Sequence, residues 1–232
     1  MKKLLLLTSI IVLIFSACSK QKNYIYPRYH YAAMKTKEGK PLAFLNWGEK
    51  LEKLEGKVEI PKAGTLIKVK RIKDDSVGYI QPKTTVMKSL GPAAILGKNV
   101  IVYRTPSITA RTKKLVTPPM LVYILAKKVI KEKHTWYQVR FYNPSGKFRI
   151  LNDYSKIYGN YWIKADDISL DEKDAEILST VQMSLYNFRR WKGKKKAAEI
   201  ARTEKEAIEN LIKEYSGKSS ISFAEKAIEE LE

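Results

Sequence analysis

The chain opens on an apolar run, Leu4 to Phe15, set between Lys2-Lys3 and the small residues Ser16-Ala17. A basic start, an apolar centre and a small-residue end make a secretory leader, and the run is too short to span a bilayer. Beyond the polar stretch Ser19 to Asn23 the period becomes two. Tyr24-Ile25-Tyr26-Pro27-Arg28-Tyr29-His30-Tyr31 sets aromatics at alternate positions broken by Pro27, which predicts an edge strand or an extended arm. Tyr24, Tyr26 and Tyr29 are candidate contact residues there, against the plainer reading that they pack one face of a sheet. Leu42 to Leu45 is apolar and Trp47 to Leu54 alternates. Thr65 to Ile72 puts Ile67 and Val69 on one face with Lys68 and Lys70 on the other, and Val77-Gly78-Tyr79-Ile80 closes the set. Short, half-buried strands are expected throughout.

Lys83 to Asn99 carries Gly91-Pro92 and Gly97, which predicts a connector. The same order of strands then recurs. Val100 to Ser107 is a strand running into a turn, and Met120 to Val129 is strongly apolar. Trp136 to Phe141 pairs with it across Lys131 to Thr135, and Tyr158 to Lys164 closes the second set. From Asp171 the period lengthens. Ala175, Leu178, Val181, Leu185 and Phe188 recur at three and four residues, as do Ile200, Ala207, Ile208, Leu211, Ile212 and Tyr215, so this part is helical. Ser216-Gly217 reads as a helix stop, and Ser222 with Glu225 as a capping box for a last helix carrying Ala224, Ala227, Ile228 and Leu231. Arg189 to Lys196 is a basic run around Trp191 and Gly193. It reads as a solvated loop between helices or, more sharply, as a contact with anionic headgroups.

Charge divides the chain in two. With the leader removed, 42 basic and 24 acidic residues remain, net +18; Asp171 to Glu232 carries 12 basic and 13 acidic, so Cys18 to Leu170 carries +19. A part this basic favours polyanions, acidic protein surfaces or anionic lipid, and gains association rate from steering. An exported protein rarely meets nucleic acid, which is therefore not expected as a partner. Cys18 is the only cysteine, so no disulfide forms within the mature chain and its stability must come from packed cores.

Cys18 directly follows Ser16-Ala17, an arrangement that resembles the lipobox of bacterial lipoproteins. The resemblance implies a diacylglycerol thioether on Cys18, cleavage before it and acylation of the new amino terminus. Several acyl chains hold a protein lastingly at a membrane, since each buried CH2 contributes about 0.8 kcal/mol. Phe15 departs from the family preference for Leu, Val or Ile. Spirochaetal lipoproteins are similar in their looser requirement there, and Ser19 resembles the following residue of outer-membrane-sorted lipoproteins in enteric bacteria. The expected location is a bacterial envelope, lipid-anchored at the outer membrane.

The runs VYRTPS, WYQVR and YWIK resemble the repeats of the bacterial SH3-like domain, well over Val100 to Leu170 and weakly over the first set, where GEKLEKL and GYI carry the likeness. The resemblance implies a mainly β fold with α: two small SH3-like barrels in tandem, then a helical segment. The expected division is 1–17 signal peptide, 18–23 lipidated tether, 24–85 degenerate SH3-like domain, 86–99 linker, 100–170 SH3-like domain and 171–232 helical region. The second set departs by an insertion between Tyr142 and Tyr158. Its Asn143-Pro144-Ser145-Gly146 is turn chemistry, followed by Lys147, Phe148, Arg149, Tyr154, Lys156 and Tyr158, either a binding loop or a hairpin folded back on the barrel.

Catalytic constellations are missing from the sequence. A Cys-His peptidase needs a free thiolate, and Cys18 is expected to be acylated. The two histidines, His30 and His134, give no zinc spacing. No phosphate-cradling Gly-rich loop or nucleophile elbow occurs, and Asp74-Asp75 and Asp166-Asp167 fit turns. No enzyme, metal or cofactor is expected. The expectation is a binding lipoprotein for acidic or sulfated ligands, such as glycosaminoglycan, or for host matrix and plasma proteins; in overall plan it is similar to spirochaetal host-binding surface lipoproteins. Contacts would come from the Lys and Arg of the 147–164 region (Lys147, Arg149, Lys156 and Lys164) with Tyr154 and Tyr158, and from strand Thr65 to Lys73. The alternatives are a periplasm-facing module binding cell-wall peptidoglycan through Tyr103, Trp136, Tyr161 and Trp162, for which barrel core is the plainer role of the tryptophans, or a structural subunit docking through its helices.

Overall fold

A computed structural model describes residues 23–97, 99–116, 120–129, 133–142 and 159–232. Cys18 lies outside them, as do Lys147, Arg149, Tyr154, Lys156 and Tyr158. The described chain is mostly β, with fourteen strands in two antiparallel sheets followed by three helices.

The first sheet comprises β1 (Tyr24–Pro27), β2 (Ala32–Lys35), β3 (Pro41–Leu45), β4 (Leu51–Ile60), β5 (Gly64–Arg71), β6 (Val77–Ile80) and β7 (Thr85–Val86), in the order β3-β2-β6-β5-β4-β1-β7. The second comprises β8 (Gly91–Ile95), β9 (Val100–Tyr103), β10 (Arg111–Val116), β11 (Met120–Val129), β12 (Thr135–Phe141), β13 (Gly159–Lys164) and β14 (Ile168–Ser169), in the order β10-β9-β13-β12-β11-β8-β14. The two orders are the same, strand for strand. Each sheet also places a 3-10 turn between its sixth and seventh strands, Pro82–Thr84 and Ala165–Asp167, closed by a backbone bond from the residue after the turn to the carbonyl of its first residue.

The period-two pattern accounts for the faces. Ile25, Ala32, Met34, Leu45, Leu51, Ile67, Val69 and Ile80 share one face of their strands and pack as the first sheet's own core. In the second sheet Val100, Val102, Val122, Ile124, Val139, Phe141 and Ile163 do the same. That second cluster also takes Tyr26, Trp47 and Val86 from the first sheet and Ala175 and Leu178 from the first helix.

Three expectations are corrected. Tyr24–Pro27 is no edge strand: β1 lies inside its sheet, pairing with β4 through Tyr24 and Ile25 and with β7 through Tyr26 and Pro27. Pro27 is tolerated because it ends the strand, and its carbonyl accepts from the Gly48 N–H at 3.2 Å and from the Tyr123 hydroxyl. The 86–99 connector holds the end of β7 and all of β8. Gly91 takes the φ of +142° that the strand entry needs, and all five residues of β8 are buried because helix and sheet cover both its sides. Thirdly, the last helix starts at Ile221, so Ser222 lies inside it and forms no capping box.

The helices are α1 (Glu172–Trp191), α2 (Ala197–Glu214) and α3 (Ile221–Leu231). Asp171 caps α1, accepting from the Lys173 N–H at 2.9 Å, with Glu172 and Asp174 in the first turn and Arg189 and Arg190 in the last, each sign suited to its end of the helix dipole. Ile177, Val181, Ile208, Ala224, Ala227 and Leu231 make a separate core among the three. On its other side α1 lies on β8 and β11, and Ser179 Oγ donates to the Trp47 carbonyl at 2.6 Å. The helices thus pack on the sheets. Among the described residues no helix is long and apolar enough to cross a membrane.

Candidate binding face on the second sheet

Strand alternation divides β12 in two. Tyr137, Val139 and Phe141 enter the core, so Trp136, Gln138 and Arg140 face outward. Pairing then assembles a row across four strands, in which Arg111 lies opposite Tyr103, Tyr103 opposite Trp162 and Trp162 opposite Gln138. Directly opposed residues project on one face. The neighbouring row sets Lys164 opposite Trp136.

Side-chain geometry closes these rows into an aromatic cluster. The rings of Tyr103 and Trp136 meet edge to face, centroids 4.8 Å apart, although β13 runs between their strands. Lys164 Nζ stands 5.8 Å from the Trp136 ring centre, within cation–π range, and the His134 ring lies edge to face with Trp136, centroids 6.2 Å apart. Trp136 is buried although it faces away from the core, while Trp162 is half-buried. Tyr161, by contrast, turns inward against Phe141, and Lys114 Nζ donates to its hydroxyl at 2.9 Å.

Positive charge surrounds the cluster. The described residues of 87–170 hold 10 basic and 2 acidic side chains, against 13 and 7 over 23–86, so the excess is larger on the second sheet. Arg104, Arg111, Lys113 and Arg140 are exposed, and no ion pair neutralises them among the described residues. At the junction of the sheets Arg28 and Arg140 both approach Tyr142, 5.9 and 5.6 Å from its ring centre. An arginine over an aromatic ring keeps its outer N–H groups, in a planar fork, for an anion such as sulfate or carboxylate.

A second concavity, with a volume of about 450 Å³, lies where the turn after β3 meets α1 and α2. Several of its charged groups are already paired. Lys50 pairs with Glu172 at 2.7 Å, and the Tyr215 hydroxyl accepts from Lys173 at 2.9 Å while donating to Glu176 at 3.1 Å. This cleft is a seam between sheet and helices. Near it Tyr26 is pushed up to about 12, chiefly by burial, and so stays neutral. Behind the turn His30 is buried against Trp47, rings 5.9 Å apart, and its Nδ1 accepts from the Trp47 N–H at 3.3 Å; burial holds its pKa down to about 3.

Of the residues singled out from the sequence, Tyr103, Trp136 and Trp162 come together on the outward face and Tyr161 does not. Tyr26 belongs to the core; Tyr24 carries Lys50 at 4.5 Å over its ring, and Tyr29 lies beside Arg28. Lys164 falls within the basic 147–164 region expected to make contacts, whereas Arg111 and Arg140 are not among the residues singled out from the sequence. Alternation along Trp136-Tyr137-Gln138-Val139-Arg140 was enough to find Arg140, whereas Arg111 needs the strand order. Among the described residues no group of three or more His, Cys, Asp or Glu is placed to hold a metal ion. No family model matches the chain. A search of curated proteins also finds no match.

Proposed function

We propose that this chain is a non-catalytic lipoprotein of a bacterial envelope, anchored through acyl chains on Cys18 at the outer membrane, whose second sheet binds acidic or sulfated chains or acidic host proteins. In this reading each sheet is an SH3-like barrel, the two in tandem. The repeated strand order and the repeated 3-10 turn support that view. The observation that carries the binding reading is the outward row Arg111-Tyr103-Trp162-Gln138 with Arg140 and Lys164 beside it: aromatic surface for sugar rings or methylene stems, set among cations that lack carboxylate partners in the described chain. The test is calorimetric titration with a heparin-derived oligosaccharide at about 0.1 M and about 1 M salt, across which the Debye length falls from about 10 Å to about 3 Å. Affinity should drop steeply with salt and in R111E/R140E. Binding that is indifferent to both would sink the proposal.

A second reading is a periplasm-facing module on peptidoglycan. It is favoured by the half-buried Trp162 beside the Tyr103–Trp136 pair, a platform on which neutral sugars could stack. Binding to purified cell wall would then be lost in Trp162→Ala and persist in high salt. Protease treatment of intact cells separates the readings further, since only an outward-facing protein is trimmed.

A further inference from the structure

The repeated strand order makes every position on the second sheet comparable with one on the first. Tyr79 on β6 answers to Trp162 on β13: each lies three residues before the start of a 3-10 turn and directly before a buried isoleucine, Ile80 or Ile163. In the second sheet Trp162 is flanked across the strands by Tyr103 and Gln138. In the first, Tyr79 is flanked by Lys35 on β2 and Lys68 on β5. All three project away from Ile67, Val69 and Ile80, the core face of the first sheet. None of the three is buried, and neither lysine is ion-paired among the described residues. Phe44 and Val77 lie on the same face with 60% and 46% of their surface exposed, so apolar area is interleaved with the two cations.

We infer that this face of the first sheet, centred on Lys35, Tyr79 and Lys68, is a second anion-binding face, and that the two faces together hold one long sulfated or carboxylated chain. The inference rests on the binding reading given above and extends it. Where the second sheet sets a tyrosine and a glutamine beside its central ring, the first sets two ammonium groups, so the first face takes anionic groups and the second takes ring surface as well. The charge is carried across the junction between the sheets by Arg28, just after β1, and Arg140 on β12, both against the ring of Tyr142. Two faces on one molecule turn the second contact into an intramolecular event, which raises apparent affinity by about 10²- to 10⁴-fold where the ligand reaches both.

The experiment compares a short heparin oligosaccharide, long enough for one sheet, with a long chain able to reach both, binding each to the full chain, to K35E/K68E and to R111E/R140E. Circular dichroism and a melting curve check that each variant folds. The expected result is that the long chain binds the unaltered protein at least about a hundredfold tighter than the short one. K35E/K68E should lose most of that gain while still binding the short chain. If K35E/K68E keeps full affinity for the long chain, the second face is overturned and the reading of the second sheet stands. If neither chain binds the unaltered protein, both fall together.

Discussion

The carboxylate of Asp174, in the first turn of α1, accepts from both the backbone N–H and the hydroxyl of Ser220 at the start of α3, at 2.9 and 2.6 Å. Its other oxygen takes the hydroxyl of Ser169 on β14 at 2.6 Å. One buried acid thus caps a helix forty-six residues further along the chain and ties it to the end of the second sheet. A cap supplied by another helix stabilises α3 only when α1 is already in place.

Asp174→Ala leaves the Ser220 donors and the Ser169 hydroxyl without their acceptor in a buried site. The expected loss is about 2–4 kcal/mol of unfolding free energy by urea titration. Asp174→Asn, which keeps an acceptor oxygen but not the charge, should lose less than the alanine variant.

Acid should weaken the fold before the carboxylates titrate. The folded chain holds His30 neutral down to about 3, whereas an unfolded chain protonates it near the ordinary histidine value of 6.5. Protons therefore bind preferentially to the unfolded state between those values. The contribution is whole above pH 6.5 and falls as pH drops toward 3, by about 1.4 kcal/mol per unit for this one group. Asp171 and Glu230, held low by Lys218 and Arg189, add their loss only below the ordinary carboxylate range. Urea midpoints recorded from pH 7 to pH 4 should slope downward, and His30→Gln should flatten that slope.

The two outward tryptophans should separate stability from binding. Trp136 is 1% exposed, and Trp136→Ala should cost about 3–5 kcal/mol. Trp162 is half-buried, so Trp162→Ala should cost distinctly less while weakening sugar binding, as read by a melting curve beside a binding isotherm.

Gly48 has φ of +79°, and a Cβ added there would stand 3.4 Å from Leu121 Cδ1 and 3.6 Å from Pro92 Cβ. Those are ordinary contact distances, so Gly48→Ala should cost about 1–3 kcal/mol through backbone strain alone. The change is expected in the unfolding rate and midpoint, with no change in secondary-structure content.

Period and turn chemistry made most strands and the first two helices legible, because alternation and three-to-four spacing are local. The order of strands was read twice along the chain, and the structure repeats it twice. What escaped was set by partners distant in sequence. Gly91-Pro92 reads as punctuation, yet β11 on one side and β14 on the other draw it into a strand. Ser222-Glu225 fits a capping box, but Asp174 satisfies the α3 start at Ser220 instead. Pro27 suggests an edge, whereas β1 exchanges one neighbour for another at its midpoint. On the candidate face the aromatics, Arg140 and Lys164 follow from residue type and local alternation, whereas Arg111 reaches Tyr103 only through pairing of β10 with β9.

Trp47, Tyr26 and Val86 belong by sequence to the first sheet and by packing to the core of the second. Neither half of the chain can be excised without uncovering them, so a cut in residues 87–90 should not yield two self-sufficient pieces. Heating should melt both sheets in one transition. Two faces coupled by such a core keep a fixed separation and orientation, and a rigid spacing can select among ligand chains by the interval between their charges.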